Sequence, residues 1–274
     1  MPPPETLTRI RARLAAALAP PAATLVPFMV DTVVVGQLTR ERAQRIAEFS
    51  DVFRVGPDAI RFVPTLDDSS LRSAAIAEVA AALAAEGALT AWRDERYAVV
   101  PAFGASPWFE LERAAARYFG IHTYAAHVNG LVRTGSGIAM WLARRSPTKA
   151  IDPGMLDNLV GGGIAHGLSI AQTVVKESWE EAGIEAALAA KASAVGEITV
   201  LRQCRDGIQH ETVFAHDLWL DADFVPANQD GEAVEHRLVS LDDLACILAA
   251  DGGPDAMTVD ASLVALDCVE RLGV

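Results

Sequence analysis

Cysteine is scarce: Cys204, Cys246 and Cys268 are the three in 274 residues. They are far apart, odd in number and without a CxxC pair, which argues against a disulfide framework or zinc knuckle and for a reducing cytoplasm. No stretch reaches the roughly 18 uninterrupted apolar residues of a membrane span. The opening RIRARLAAALAPPA has only a short apolar run, broken at Pro20-Pro21. Arg9, Arg11 and Arg13 with Leu14 and Leu18 suit an amphipathic helix better than a signal peptide. Positive charge is short too, 23 Lys and Arg against 36 Asp and Glu, a net charge of −13. Nonspecific binding to nucleic acid or an anionic membrane needs a basic footprint that this chain lacks. A small phosphorylated substrate is still allowed, because one local cation can hold it. Metal-type histidine spacing is also missing: His122, His127, His166, His210, His216 and His236 form no HExxH or paired pattern. No Ser-His-Asp or Cys-His arrangement can be assigned from spacing.

What is present is apolar mass, 51% of the residues, much of it alanine. The length suits two modest domains. After the first helix, residues 27–38 read as a strand pair ending in a glycine turn, and 39–49 as a helix. Residues 51–64 read as a hairpin about Gly56-Pro57. A helix is expected over 69–87, capped by Ser69 or Ser70, with Leu71, Ile76, Val79 and Leu83 inward and Gly87 as its stop. Residues 92–101 alternate like a strand, and 108–120 read as a helix stopped by Gly120. A second series starts with strands at 127–133 and 137–146 about a Thr134-Gly135-Ser136 turn. A glycine-rich loop at 161–163 then leads to a helix at about 169–182, with Ser169 as N-cap and Gly183 past its end. Two strands about Asp206-Gly207 follow, then a strand passing into a helix capped by Ser240, and a last helix near 260–272. The natural division falls near 120–126, with no flexible linker.

Glu177, Glu180 and Glu181 stand at i, i+3 and i+4 of the helix at 169–182. Such positions are neighbours, with Cβ atoms roughly 5–6 Å apart. Two unit charges at that spacing repel by about 3 kcal/mol at an effective dielectric of about 20. The cluster also lies toward the helix C-terminus, where the dipole disfavours negative charge. A divalent cation reverses the sign of every one of these terms, and hard carboxylate oxygens suit Mg²⁺ or Mn²⁺. Gly161, Gly162 and Gly163 permit close backbone approach, so that a loop carbonyl reaches the same ion. The plainer reading is an acidic, solvated helix end before a glycine cap. The upstream glycine run and Lys176 beside Glu177 favour the site.

Residues 162–184 resemble the Nudix box, G-x5-E-x7-R-E-U-x-E-E-x-G-U, where U is a bulky aliphatic residue. Gly162, Glu177, Glu180, Glu181, Gly183 and Ile184 match; Leu168, Lys176 and Ser178 depart from the first acid, the arginine and the first U. Similarity extends through residues 140–164, the stretch DGEAVEHRLVSLDDL and the N-terminal segments PFMVD, DVFRV, AEGALTAWRDERYAV and FELERAAARYFGI. These are similar to a Nudix branch with an extra N-terminal domain, associated with thiamine pyrophosphokinase.

The resemblance implies an α+β protein: a Nudix α/β/α sandwich with a mixed sheet over 122–274, preceded by a smaller α+β accessory domain over 1–121. It implies a Mg²⁺- or Mn²⁺-dependent hydrolase that cleaves a diphosphate linkage, as in thiamine diphosphate or a damaged derivative, to a monophosphate. Glu177, Glu180, Glu181 and the Gly162 carbonyl are the expected metal ligands. Arg144, Arg145 and Lys176 are candidate phosphate contacts, although the two arginines read equally well as cover for a sheet edge. The acid that orients water is sought among Glu211, Glu232 and Glu235, each of which also reads as a solvated surface residue. Asp157 and Asn158 read as turn residues or ligands, and Trp92, Arg93 and Tyr97 as strand packing or a pocket wall. Expected partners are the substrate and a second copy of the chain, with neither nucleic acid nor membrane. The alternatives are a noncatalytic binder and an isoprenoid diphosphate isomerase, whose chemistry wants a further cysteine or acid in the pocket, while Cys204 sits beyond a strand without a clear partner.

Overall fold

Phenylalanine is concentrated in the N-terminal half, and that concentration builds its core. The computed structural model describes residues 2–19 and 24–273. Strands β1 (Val26–Val30), β2 (Val33–Leu38), β3 (Phe53–Val55) and β4 (Ile60–Phe62) form a sheet in the order β2-β1-β4-β3. Helices α2 (Arg40–Ile46) and α3 (Ser69–Ala85) belong to the same region, as does the ribbon of β5 (Arg96–Val99) and β6 (Phe109–Glu112). Phe28, Phe53, Phe62, Phe109 and Phe119 meet at the centre, with ring centroids from 5.2 to 6.1 Å apart, several edge-to-face.

Several expectations here change. Residues 108–120 do not make one helix. Phe109 and Leu111 alternate inward with Glu110 between them, a period of two that pairs with β5; only a 3₁₀ turn and α4 (Ala116–Phe119) are helical. Gly36 lies inside β2, not at its end, and the position takes glycine because a Cβ there would stand 2.3 Å from the Phe119 carbonyl oxygen. The turn falls instead at Asp31, with φ of 52°. The cap of α3 is Asp68, which accepts from Leu71 N–H, and Leu71 itself is exposed. Pro20-Pro21 lies outside the described residues.

The second region starts at β7 (His122–Thr134), a strand long enough to carry several partners. It pairs in parallel with β12 (Gly207–Leu220) and antiparallel with β8 (Gly137–Arg145). β11 (Ser193–Cys204) and β13 (Ala233–Ser240) complete a mixed sheet in the order β11-β12-β7-β8-β13. Short β9 (Leu156–Asn158) pairs with β8, and β10 (Val160–Gly163) with β7. The glycine run is therefore strand, not loop: Gly161 lies opposite His127 and Gly162 opposite Ala126.

Residues of opposite parity on β7 serve opposite layers. Ala126 and Val128 pack under α5 (Ile170–Ala182), together with Val174 and Ile184. Leu131 faces α7 (Leu241–Ala249) and α8 (Val259–Leu272). Helix α1 (Pro4–Ala17) docks on that second layer through Ile10 and Leu14. A single turn, α6 (Ala186–Ala189), follows α5 and was not expected. No described helix is long and apolar enough to cross a membrane.

Candidate active site

Helix α5 is defined at both ends by local chemistry. Ser169 accepts from Gln172 N–H while Gln172 Oε1 accepts from Ser169 N–H, a complete capping box. Gly183 ends the helix at φ 64°, a left-handed conformation suited to glycine. Between these ends the glutamates turn toward β10. Glu181 is buried, and its Oε2 accepts from Gly161 N–H at 2.8 Å. Glu177 lies so close to Gly162 that a Cβ there would stand 2.3 Å from the Glu177 carboxyl carbon. This approach, more than any freedom of φ, is why the position takes glycine. Glu180 is more open, and Lys176 Nζ bridges it at 2.6 Å to Glu177 at 2.9 Å.

The departures from the box now have physical readings. Leu168 packs into the apolar layer beneath α5 beside Ile170. Lys176, without an acid at 168, turns to the two glutamates. Ser178 is fully buried where the pattern has an aliphatic side chain, and its hydroxyl has no partner among the described residues.

Beyond the glycine strand, a cavity of about 140 Å³ lies between the two regions. The N-terminal region contributes Arg93, Tyr97, Arg113 and Arg117 to its wall. Arg145, Lys149, His127, Asp157 and Gly161 to Gly163 come from the second region. Tyr97 is packed against Gly163, where a Cβ would fall 1.8 Å from the phenol oxygen, and burial pushes its hydroxyl pKa up. His166 N–H donates to Arg96 O at 2.8 Å, fastening the loop before α5 to β5.

Charge on this cavity's wall and behind its glycine strand is strongly perturbed. Burial pushes the Glu181 carboxyl well up, against the Gly161 N–H bond, and the carboxylates of Asp157 and Glu177 add to the rise. Burial pushes the Lys149 ammonium down; Glu181 opposes this, while Arg145, Arg93 and Arg113 reinforce it. Lys149 also pairs with Glu232, which accepts from Arg93 at 2.9 Å.

The residues expected from sequence divide clearly. Arg145 lines the cavity and binds Asp157 at 2.9 Å, whereas Arg144 does not reach it. Neighbours along a strand point to opposite faces, and Arg144 is held by Glu235 at 2.6 Å and Asp255 at 2.7 Å. Glu235 is thereby also removed from the site. Glu232 is tied up between Arg93 and Lys149, so it acts as a clamp across the two regions and not as a free base. Glu211 does line the cavity, held by Thr123 Oγ1 at 3.1 Å. Asp157 lines it too, and Asn158 is buried beneath. Trp92 is turned outward onto Asp94, unlike Arg93 and Tyr97. Cys204 is not among the lining residues. Sequence reasoning missed Lys149, Arg113 and Arg117, which carry no local pattern.

Among the described residues, no three His, Cys, Asp or Glu side chains form a ready-made metal cage. The donors nevertheless fit a hard divalent cation. Glu181 is a carboxyl whose burial, with the nearby charges of Asp157 and Glu177, outweighs its one N–H bond, and an ammonium already bridges Glu177 and Glu180.

Comparison with known proteins identifies relatives of both regions. Residues 12–123 match a domain of unknown function, DUF4743, and residues 123–259 match the NUDIX domain. An Arabidopsis thaliana protein, "Nudix hydrolase 20, chloroplastic", is 36% identical over 257 residues, covering 90% of this chain and 68% of its own length. "Nudix hydrolase 24, chloroplastic" from the same plant is 36% identical over 251 residues, covering 91% and 68%. A solved C. elegans Ap4A hydrolase binary complex aligns over 55% of this chain and 98% of its own, at 15% identity and a TM-score of 0.41. By this kinship the chain belongs to the Nudix hydrolase family.

Proposed function

We propose that the protein is a Mg²⁺- or Mn²⁺-dependent diphosphohydrolase whose substrate binds in the cavity between the two regions. The observation that carries this reading is the contact of Glu177 and Glu181 with Gly162 and Gly161, on the wall of a cavity also lined by Arg93, Arg113, Arg117, Arg145 and Lys149. Clustered cations of this kind suit the oxygens of a diphosphate, arginine through paired N–H groups and lysine as a point charge. Glu177, Glu180 and Glu181 would hold the divalent ion, which when bound neutralises phosphate charge and lowers the pKa of water. Arg145 is aligned by Asp157, and Tyr97 closes the wall over Gly163. The resemblance of both regions to the thiamine-associated Nudix branch supports a thiamine-type diphosphate, released as the monophosphate.

The test is a screen of nucleoside, sugar and thiamine-type diphosphates with Mg²⁺ and Mn²⁺, following monophosphate release by the wild type and by Glu181→Gln. Hydrolysis by the wild type and a loss of about 10²-fold or more in the variant is expected, the scale of removing a key electrostatic group. Ligand binding without phosphate release under either metal would establish a noncatalytic binder instead. A Glu181→Gln variant as active as wild type would remove the metal assignment.

A further inference from the structure

Asp217 of β12 starts a chain of hydrogen bonds whose direction is forced. Arg271 of α8 holds its carboxylate by two bonds, Nη1 to Oδ2 at 2.8 Å and Nη2 to Oδ1 at 3.1 Å. A carboxylate in that grip only accepts. Asn129 therefore turns Nδ2 toward Asp217 Oδ1, at 3.0 Å, and its own Oδ1 away. That oxygen accepts from Asn158 Nδ2 at 3.1 Å, so Asn158 presents Oδ1 to His127 Nδ1 at 2.8 Å. An amide oxygen is only an acceptor, so a proton stands on His127 Nδ1, and of the two neutral tautomers the geometry selects the one in which Nε2 carries a bare lone pair. Amide orientation and ring tautomer are ordinarily ambiguous; here one carboxylate determines all three. Every member of the chain is buried, from Asn129 at 0% exposed to His127 at 7%, which removes bulk water as an alternative partner.

The free end of the chain faces the cavity. His127 forms part of its wall, and among the described residues the ring's hydrogen bond is the one from Nδ1 to Asn158. The ring lies beneath Gly161, where a Cβ would stand 3.1 Å from Nε2. Gly161 is also the residue whose N–H anchors Glu181. A bare nitrogen lone pair repels phosphate oxygens, and as a hydrogen-bond acceptor it takes an O–H or N–H donor. In a hydrolytic cavity the O–H donor that every turnover requires is water.

We propose that His127 Nε2 holds and orients the water that attacks phosphorus, with Asp217, Asn129 and Asn158 as positioning residues that set its tautomer. This rests on the hydrolase reading above. It gives to a histidine the role sought among Glu211, Glu232 and Glu235, of which the last two are bound elsewhere.

Ring-nitrogen NMR of the full chain labelled with ¹⁵N-histidine tests the geometry without any substrate. His127 is expected as the single Nδ1–H tautomer with Nε2 unprotonated. Asn129→Leu cuts the chain, and both tautomers are then expected. An Nε2–H ring in the wild type overturns the assignment, and an unchanged single tautomer in Asn129→Leu overturns the relay. Kinetics with an identified diphosphate test the role. Asn mimics the Nδ1 donor but not Nε2, so His127→Asn should keep the relay and the melting temperature while kcat falls about tenfold or more and KM stays within about threefold. His127→Gln, which carries an oxygen near the Nε2 position, should recover part of kcat. A rise in KM with kcat kept would mean that His127 touches substrate, not water, and would overturn the proposal. If the wild type hydrolyses no diphosphate, the hydrolase reading fails by itself while the tautomer is still decided by NMR.

Discussion

His122 stands at the first position of β7, stacked on His210 of β12 with ring centroids 4.1 Å apart and an interplanar angle of 5°. Nε2 lies 2.9 Å from Thr212 Oγ1. Burial first, and the neighbouring His210 second, push the His122 pKa down to about 4. The unfolded chain takes up this proton near pH 6.5, the folded chain only near pH 4. Between those values the unfolded state binds more protons, so stability rises with pH and is lost as pH falls through the window. Thermal melting should therefore drop from pH 6.5 to pH 4, and His122→Asn should flatten that part of the profile. An identical profile in the variant would remove His122 as the cause. Residue by residue, the Nudix glutamates were legible because their spacing is local. Lys149 and Arg113 were not, since each is recruited by what folds against it.

Among the elements, α5 carries Glu177, Glu180 and Glu181, and a cap fixes its first turn. The capping box of Ser169 and Gln172 satisfies N–H groups that the first turn otherwise leaves open. Ser169→Ala should cost about 1 kcal/mol in chemical denaturation. Activity well below the transition should change little, because Glu177 and Glu181 are also held by β10 from the far side. A loss of activity without a loss of stability would mean that the cap itself sets the glutamate geometry. Helix ends of this kind were readable from sequence, Ser169, Gly183 and Ser240 among them. The strand identity of 109–112 and of 160–163 was not. Alternation in four residues is too short to outweigh the helical or loop-like composition around it, and pairing with β5 and β7 decides the matter.

At the scale of the whole molecule, the cavity exists only where the two regions meet. Arg93 reaches from the N-terminal region to Glu232, which also binds Lys149, so one acid joins cations from both sides. Arg93 is substantially exposed, and losing such an ion pair costs at most about 1 kcal/mol of stability. Arg93→Ala should instead show itself in substrate affinity, with KM for the diphosphate rising about tenfold and kcat nearly unchanged, the pattern of lost uniform binding. Wild-type KM in this variant would mean that the N-terminal wall does not touch substrate.

The sequence by itself determined the carboxylate cluster, its helix, both caps and the two-part order of elements, all of which depend on residues within a few positions of one another. It also raised the expectation of a cation among those glutamates, since their repulsion follows from helical spacing alone; the structure places the Lys176 ammonium between Glu177 and Glu180. Tertiary structure decided which of Arg144 and Arg145 enters the cavity, because adjacent strand residues face opposite ways and only the partners reveal which face is which. It alone brought Arg113, Arg117 and Tyr97 to the glycine strand, and it alone linked Asp217 to His127 through two amides. These groups are distant in the chain and meet only after the sheet has formed, so no periodicity or spacing records their contact.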